Sequence, residues 1–311
     1  LLQFKDDNSF SIPNSFREFL FNSVEQIHFQ SSGTPFNSFI LFDTEASVAR
    51  LRMTLFTREA EAYSPLRSPF GSLQFDDTIA VEDVTYFVRC LDNWLIANGV
   101  QKVHVVSYPY CYNIRHSEIT THCLLKNGYD IAEHDMNFHL HVSPDGFLKE
   151  LNPAARRRFV KYQNTFRFSV EESPDIESIY RLVEENRAVK GNPLSISLEL
   201  LKKLYNSFKD SIKVFLLKDG DVLIGSAFGV QVSEKILYYY LAADSYAYKK
   251  YSPSTILIGQ IYNYCIQQGI EIFDLGIATS KSIPNFGLIK FKQNMGGKVS
   301  LKLSFEKKLL G

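Results

Sequence analysis

Apolar and polar positions alternate over short stretches in both halves of the chain. Strands are expected at about 38–43 (SFILFD), 48–56, 102–107 (KVHVVS) and 135–142 (DMNFHLHV), then at 165–171, 212–218, 221–232, 235–243, 270–275 and 298–304. β-branched and aromatic residues fill these runs, as half-buried strands require. Apolar residues three and four apart predict helices at 82–98 and 116–127, then at 175–189, 197–208 and 254–268, with a shorter one near 284–293. Asp219-Gly220 between two apolar runs is a hairpin signal, and a second hairpin is expected around Ser233–Lys235. Three antiparallel strands therefore precede the long helix of the second half. That order, with no G-x-G-x-x-G after an early strand and no G-x-x-x-x-G-K-S/T, disfavours dinucleotide-binding and P-loop folds.

Two stretches share one form. LIANGVQKVHVVS (95–107) and CIQQGIEIFDLG (265–276) each read as helix end, glycine, strand. Gly99 and Gly269 stand where a helix C-terminus takes positive φ. Each stretch continues through a loop into a second helix and another strand. The recurrence reads as a duplication, although any α/β fold generates such units. The expected class is α/β with mixed sheets, in two tandem domains at 1–155 and 156–311.

Composition narrows the classes. The 311 residues are 45% apolar, enough for two cores. The 34 basic and 34 acidic side chains cancel, which argues against a DNA-binding surface. Cysteines 90, 111, 123 and 265 show no CxxC pairing, which suits a reducing, cytoplasmic setting. No apolar run approaches the roughly 18 residues of a membrane span, so no integral membrane segment is expected. His139 and His141 alternate on one strand face without a third ligand at a recognisable spacing, so no metal site is expected. A local basic segment, NPAARRRFVKYQNTFRF (152–168), lies between the halves without an acid. Its arginines are too close in sequence to share one helix face, and a phosphate-rich partner is one reading of it.

Four segments resemble the FemAB/FemX-type group of the GNAT-like acyltransferase superfamily, in which two such domains are fused in tandem. YSPLRSPFGS (63–72) is similar to the Ser-Pro…Gly segment of the first domain, and 214–243 to the central strands of the second. YAYKKYSPSTILI (246–258) stands where an acyl-carrier phosphate loop opens the long helix, and FDLGIATSKSIPNFGLIKFKQNMGG (273–297) is similar to the closing Gly-Leu…Phe-Lys…Gly-Gly region. The resemblance implies two GNAT-like domains, each a central mixed sheet flanked by helices, the first degenerate and the second bearing the active site. It implies direct N-acyl or N-aminoacyl transfer to an amine, on a cell-wall (peptidoglycan) precursor or a small molecule. The co-substrate would be acyl-coenzyme A or aminoacyl-tRNA, with no tightly bound cofactor. Acetyl transfer from coenzyme A to a small amine or sugar is the alternative, and a binding module that has lost catalysis is the rival class.

The candidate residues follow. Lys249, Lys250, Ser252 and Ser254 occupy the phosphate-loop position, where the wider superfamily has Arg/Gln-x-x-Gly-x-Gly/Ala. Ser252 replaces the first glycine, so the amide cradle is impaired while a helix start with Ser252 as N-cap and Pro253 in the first turn survives. A capped helix with two solvated lysines is the plain alternative. Asp274, near a strand end, is the candidate to orient the amine or accept its proton through water; a buried structural acid is the plain alternative. Lys290 and Lys292, and in the first half Arg67, Tyr108 and Arg115, are candidates to hold substrate. Charge decoration and loop packing are the alternatives for these five.

Overall fold

The first strand is shorter and more polar than the expected ones. β1 (Leu2–Asp6) lies antiparallel on β2 (Phe36–Asp43). Between them comes α1 (Val24–Ser31), capped where Ser23 Oγ accepts the Gln26 N–H. β3 (Val48–Arg58) returns beside β2, with β4 (Glu61–Ser64) and the two-residue β5 (Gln74–Phe75) on its other side. A peptide that is cis at Ser64-Pro65 opens the loop to α2 (Val81–Ala97). β6 (Lys102–Val106) then runs parallel to β4. α3 (Ile114–Lys126) and β7 (Asp130–His141) follow. The computed structural model describes residues 1–189, 191, 194 and 196–309.

These elements, with Thr279–Pro284 and 300–309, form one of two compact units; Phe138–Ala278 and Asn285–Val299 form the other. The first unit's core lies between sheet and helices. Phe39, Leu41, Leu51 and Met53 meet Phe87, Leu91 and Leu95 of α2, all at most 1% exposed. At the other end of the unit, the buried Arg52 guanidinium ties the N-terminal segment down. It donates to Asp7 Oδ2 at 2.8 Å, Ser38 Oγ at 3.0 Å, Asn14 Oδ1 at 2.9 Å and the Ile12 carbonyl at 2.8 Å.

The second unit opens with the end of β7 and α4 (Pro153–Tyr162), which Asn152 caps by accepting the Ala155 N–H at 2.8 Å. β8 (Arg167–Glu171), α5 (Ile176–Val189) and α6 (Leu198–Ser207) precede the antiparallel run β9 (Ile212–Asp219), β10 (Val222–Ser233) and β11 (Ile236–Asp244). Both hairpins stand where the sequence places them, the first turning at Gly220 with φ 56°. α7 (Pro253–Gln268) is apolar over its first turns and buried from Thr255 to Gly259, then at Ile261, Tyr262 and Cys265, with Asn263 and Gln267 exposed on its outer side. It ends at Gly269, φ 68°, and leads into β12 (Ile272–Ile277). The strand order is β8-β9-β10-β11-β12, with the Phe138–His141 end of β7 beside β12.

The chain then re-enters the first unit through β13 (Thr279–Ser280) and β14 (Ile283–Pro284), gives α8 (Phe286–Asn294) to the second, and ends in β15 (Lys298–Lys308). Ser304–Lys308 of β15 pair antiparallel with β6, so the first unit's order is β1-β2-β3-β4-β6-β15. The division therefore falls at Asn137/Phe138, inside β7, not at the expected 155/156, and the C-terminal strand belongs with the N-terminal half.

Candidate active site

β11 and β12 are parallel neighbours for only three residue pairs, Ile236–Tyr238 with Ile272–Asp274. Beyond Tyr238, β11 continues to Asp244 against β10 alone, and a register shift leaves Leu241, φ 28°, outside the ladder. A bulge of this kind bends its strand and frees backbone groups. The last residues of β12 stand at this parting.

Asp274 is 1% exposed and its Oδ1 accepts the Gly276 N–H at 2.8 Å. Gly276 has φ 78°, a conformation that favours glycine. A Cβ there would lie 3.3 Å from the Tyr238 ring and 3.9 Å from Lys292 Nζ, so this turn is packed as well as bent. The Gly276 and Ile277 carbonyls each accept from Lys292 Nζ at 2.8 Å. Lys292 lies in the last turn of α8, which Asn285 caps by accepting the Leu288 N–H at 3.0 Å. Its ammonium also sits 5.9 Å from the Phe138 ring centroid. Two glycines after α8 let the chain turn back closely: Gly296 has φ 82°, and a Cβ on Gly297 would meet the Lys292 carbonyl at 2.8 Å.

Burial sets the electrostatics of this cluster. It pulls Lys292 down to about 8, with the Asp274 carboxylate opposing the shift. Burial raises the Tyr238 hydroxyl well above its ordinary value, and Asp274 adds to the rise. The Lys292 ammonium gives two of its three donors to carbonyls.

Near the start of α7, the chain makes a 3₁₀ turn over Tyr246–Tyr251. Ser252 occupies the N-cap position as expected, but with φ 57° and no side-chain capping bond. Its Oγ instead accepts from Arg158 Nη1 of α4 at 3.3 Å. The expectation of Ser252 as a capping side chain is thus corrected: its left-handed backbone turns the hydroxyl to α4. Pro253 does begin the helix. Lys249 and Lys250 are exposed, over the Tyr246 and Tyr251 rings at 5.0 and 4.7 Å, and Ser254 is half-buried in the first turn of α7.

The structure thus brings Asp274 and Lys292 together, and groups Lys249, Lys250, Ser252 and Ser254 at one helix start. Lys290 is exposed on α8, apart from the buried Lys292. In the first unit, Arg67 and Arg115 are exposed. Tyr108 is 1% exposed, its ring centroid 5.0 and 5.8 Å from those of Phe19 and Phe70, so it packs the interior rather than facing solvent. Tyr238 and Phe138 were not singled out by sequence reasoning, and Arg158 only as part of the basic segment 152–168. Only the Tyr-rich run ILYYYLAAD before the phosphate-loop position hinted at the first. Among the described residues no group of three His, Cys, Asp or Glu could hold a metal, and no helix is long and apolar enough to cross a membrane.

Antiparallel strands followed by a long central helix and a parting parallel strand pair give the second unit a GNAT-type fold. Residues 153–286 match the family model described as "Acetyltransferase (GNAT) domain". The whole chain shares its fold with solved structures that include a tandem GNAT protein and FemX. It covers 96% of its length and 93% of the other in superposition on the crystal structure of FemX, with a TM-score of 0.70 at 13% identity. A tandem GNAT protein from the clavulanic acid biosynthesis pathway superposes over 100% of this chain and 99% of its own, TM-score 0.57, 9% identity. L-PGS from Bacillus licheniformis does so over 96% and 95%, TM-score 0.57, 10% identity. No curated protein matches the sequence.

Proposed function

We propose that the second unit transfers an acyl or aminoacyl group directly from a phosphate-bearing carrier to an amine at the parting of β11 and β12, with Lys292 as the group that meets developing charge. The observation that carries this reading is the buried Lys292 ammonium, fixed by the carbonyls of Gly276 and Ile277. The amine lone pair forms the new C–N bond, and the carbonyl oxygen takes up negative charge. Backbone N–H groups of β11 beyond Tyr238, without a β12 partner, are suited to receive that charge. The C–S or C–O bond to the carrier then breaks. Lys292 gives its proton to the departing atom and regains one from the amine, a relay suited to a group that titrates near 8. Asp274, held by the Gly276 N–H, positions this strand end and keeps the ammonium charged; in this reading it acts through Lys292, in place of the expected orienting of the amine or acceptance of its proton through water. The carrier's phosphates would meet Lys249, Lys250 and Arg158 at the start of α7, where side chains stand in for the missing glycine amides. The family resemblance suggests acyl-coenzyme A or aminoacyl-tRNA as carrier and a cell-wall precursor or small molecule as the amine.

The test uses purified protein with acetyl-coenzyme A or aminoacylated tRNA and a panel of amines. Lys292→Met is expected to lower transfer by about 10²–10⁴-fold, as loss of a general acid does. Undiminished transfer by that variant sinks the assignment. Calorimetric binding of acetyl-coenzyme A that is lost in Lys249→Ala/Lys250→Ala supports the carrier site; unchanged binding removes it.

A further inference from the structure

Helix α4 carries four cations and no acid in ten residues, PAARRRFVKY. Its faces divide them. Ala155 and Phe159 are buried, and Arg158 reaches Ser252. The positions 153, 156, 157, 160 and 161 share a different face at helical spacing. With Leu151 from the preceding turn they line a cavity of about 500 Å³, comparable to small-molecule sites. Arg156, Arg157, Val160 and Lys161 are exposed there, Val160 at 52%. Among the described residues, none of the three cations belongs to an ion pair; Lys161 only overlies the Tyr162 ring at 5.1 Å.

Three uncompensated cations around one concavity select an anion by charge. Leu151, Pro153 and Val160 supply an apolar wall that a bare inorganic ion would leave in contact with water. A nucleic-acid backbone would use the cations but not this wall. We infer that the α4 cavity binds a small amphiphilic phosphate: a phosphate ester whose head pairs with Arg156, Arg157 and Lys161 and whose short hydrocarbon part covers Val160 and Leu151. Arginine is suited to such a head because its planar fork can donate two parallel hydrogen bonds. This site is independent of the transfer reading, because none of its lining residues belongs to the Lys292 cluster.

The full-length protein would be titrated calorimetrically with hexyl phosphate and with inorganic phosphate. Saturable, one-to-one binding of hexyl phosphate is expected, tighter than inorganic phosphate by about fourfold for each methylene buried. Arg156→Glu/Arg157→Glu, both at exposed positions, is expected to abolish binding of both anions. Val160→Ser should weaken only hexyl phosphate. Equal affinity for the two anions, or binding that survives the double charge reversal, overturns the site. Attachment to phosphatidylglycerol vesicles without binding of hexyl phosphate overturns it too, since that would be attraction to a surface rather than occupation of the cavity. A single-stranded oligonucleotide should displace hexyl phosphate no better than inorganic phosphate does, and stronger displacement would assign the cations to nucleic acid.

Discussion

At the scale of single residues, the charge state of Lys292 links burial to a measurable pH profile. The acceptor amine reacts as the free base, so transfer rises with pH until Lys292 loses its proton near 8. An alkaline limb near that value is expected in single-turnover rates, and it should vanish in Lys292→Met together with most of the rate. A limb that persists in the variant assigns it to another group. The Arg52–Asp7 pair makes a stability prediction of the opposite kind. Burial alone would raise the Asp7 carboxyl, but the Arg52 guanidinium and the Ile12 and Ser11 N–H groups outweigh it and hold the group below its ordinary value. A carboxyl with a lowered folded-state value contributes stability above its unfolded value of 3.8 that is lost as pH falls below it. Arg52→Met leaves that acid buried without its cation and is expected to cost about 3–5 kcal/mol in urea unfolding at neutral pH. A loss below about 1 kcal/mol, the scale of an exposed pair, would show that the pair is not effectively buried.

At the scale of elements, the contact between α4 and α7 depends on one small residue. A Cβ on Gly259 would run into the Phe159 ring and lie 2.8 Å from Phe147. Alanine favours a helix interior by about 1 kcal/mol over glycine, yet overpacking costs about 1–3 kcal/mol. Gly259→Ala is therefore expected to lower stability despite its better helix propensity, and a rise in thermal midpoint would contradict the packing. Elements with a strong period were legible in the sequence. The hairpin at Asp219-Gly220, the largely apolar α7 and the glycine stops at 99 and 269 follow from local chemistry alone. β1, β4 and α1 were not read, being short and mixed in polarity. In α4 the run of arginines masks the Ala155/Phe159 stripe. The site was half legible. Asp274 and Lys292 each stood out, but their meeting depends on the positive φ of Gly276 and on a strand parting that pairing alone decides. Tyr238 and Phe138 join through that same tertiary geometry, marked in the sequence only by the Tyr-rich run around Tyr238.

At the scale of the whole molecule, the first unit draws on residues from both ends of the chain. Leu303 and Phe305 of β15 are at most 3% exposed within its core, and Ser304–Lys308 pair with β6. A fragment of residues 1–155 lacks them and is expected to show no cooperative unfolding transition, whereas the same fragment with 298–309 joined through a flexible linker should recover one. Cooperative unfolding of the bare fragment would mean that β15 is dispensable. The sequence placed the boundary at the basic segment because it lies between the two repeated halves. The division inside β7 is set by contacts over long separations, to which composition is blind. The late arrival of β15 also bears on biosynthesis. Chains emerge from the ribosome at about 5–20 residues per second, N-terminus first. Until β15 is made, the Val103 and Val105 strand has no neighbour on that side and offers an open template for pairing with other nascent chains. The unit translated first is therefore completed last, and its dependence on chaperones should be concentrated in that interval.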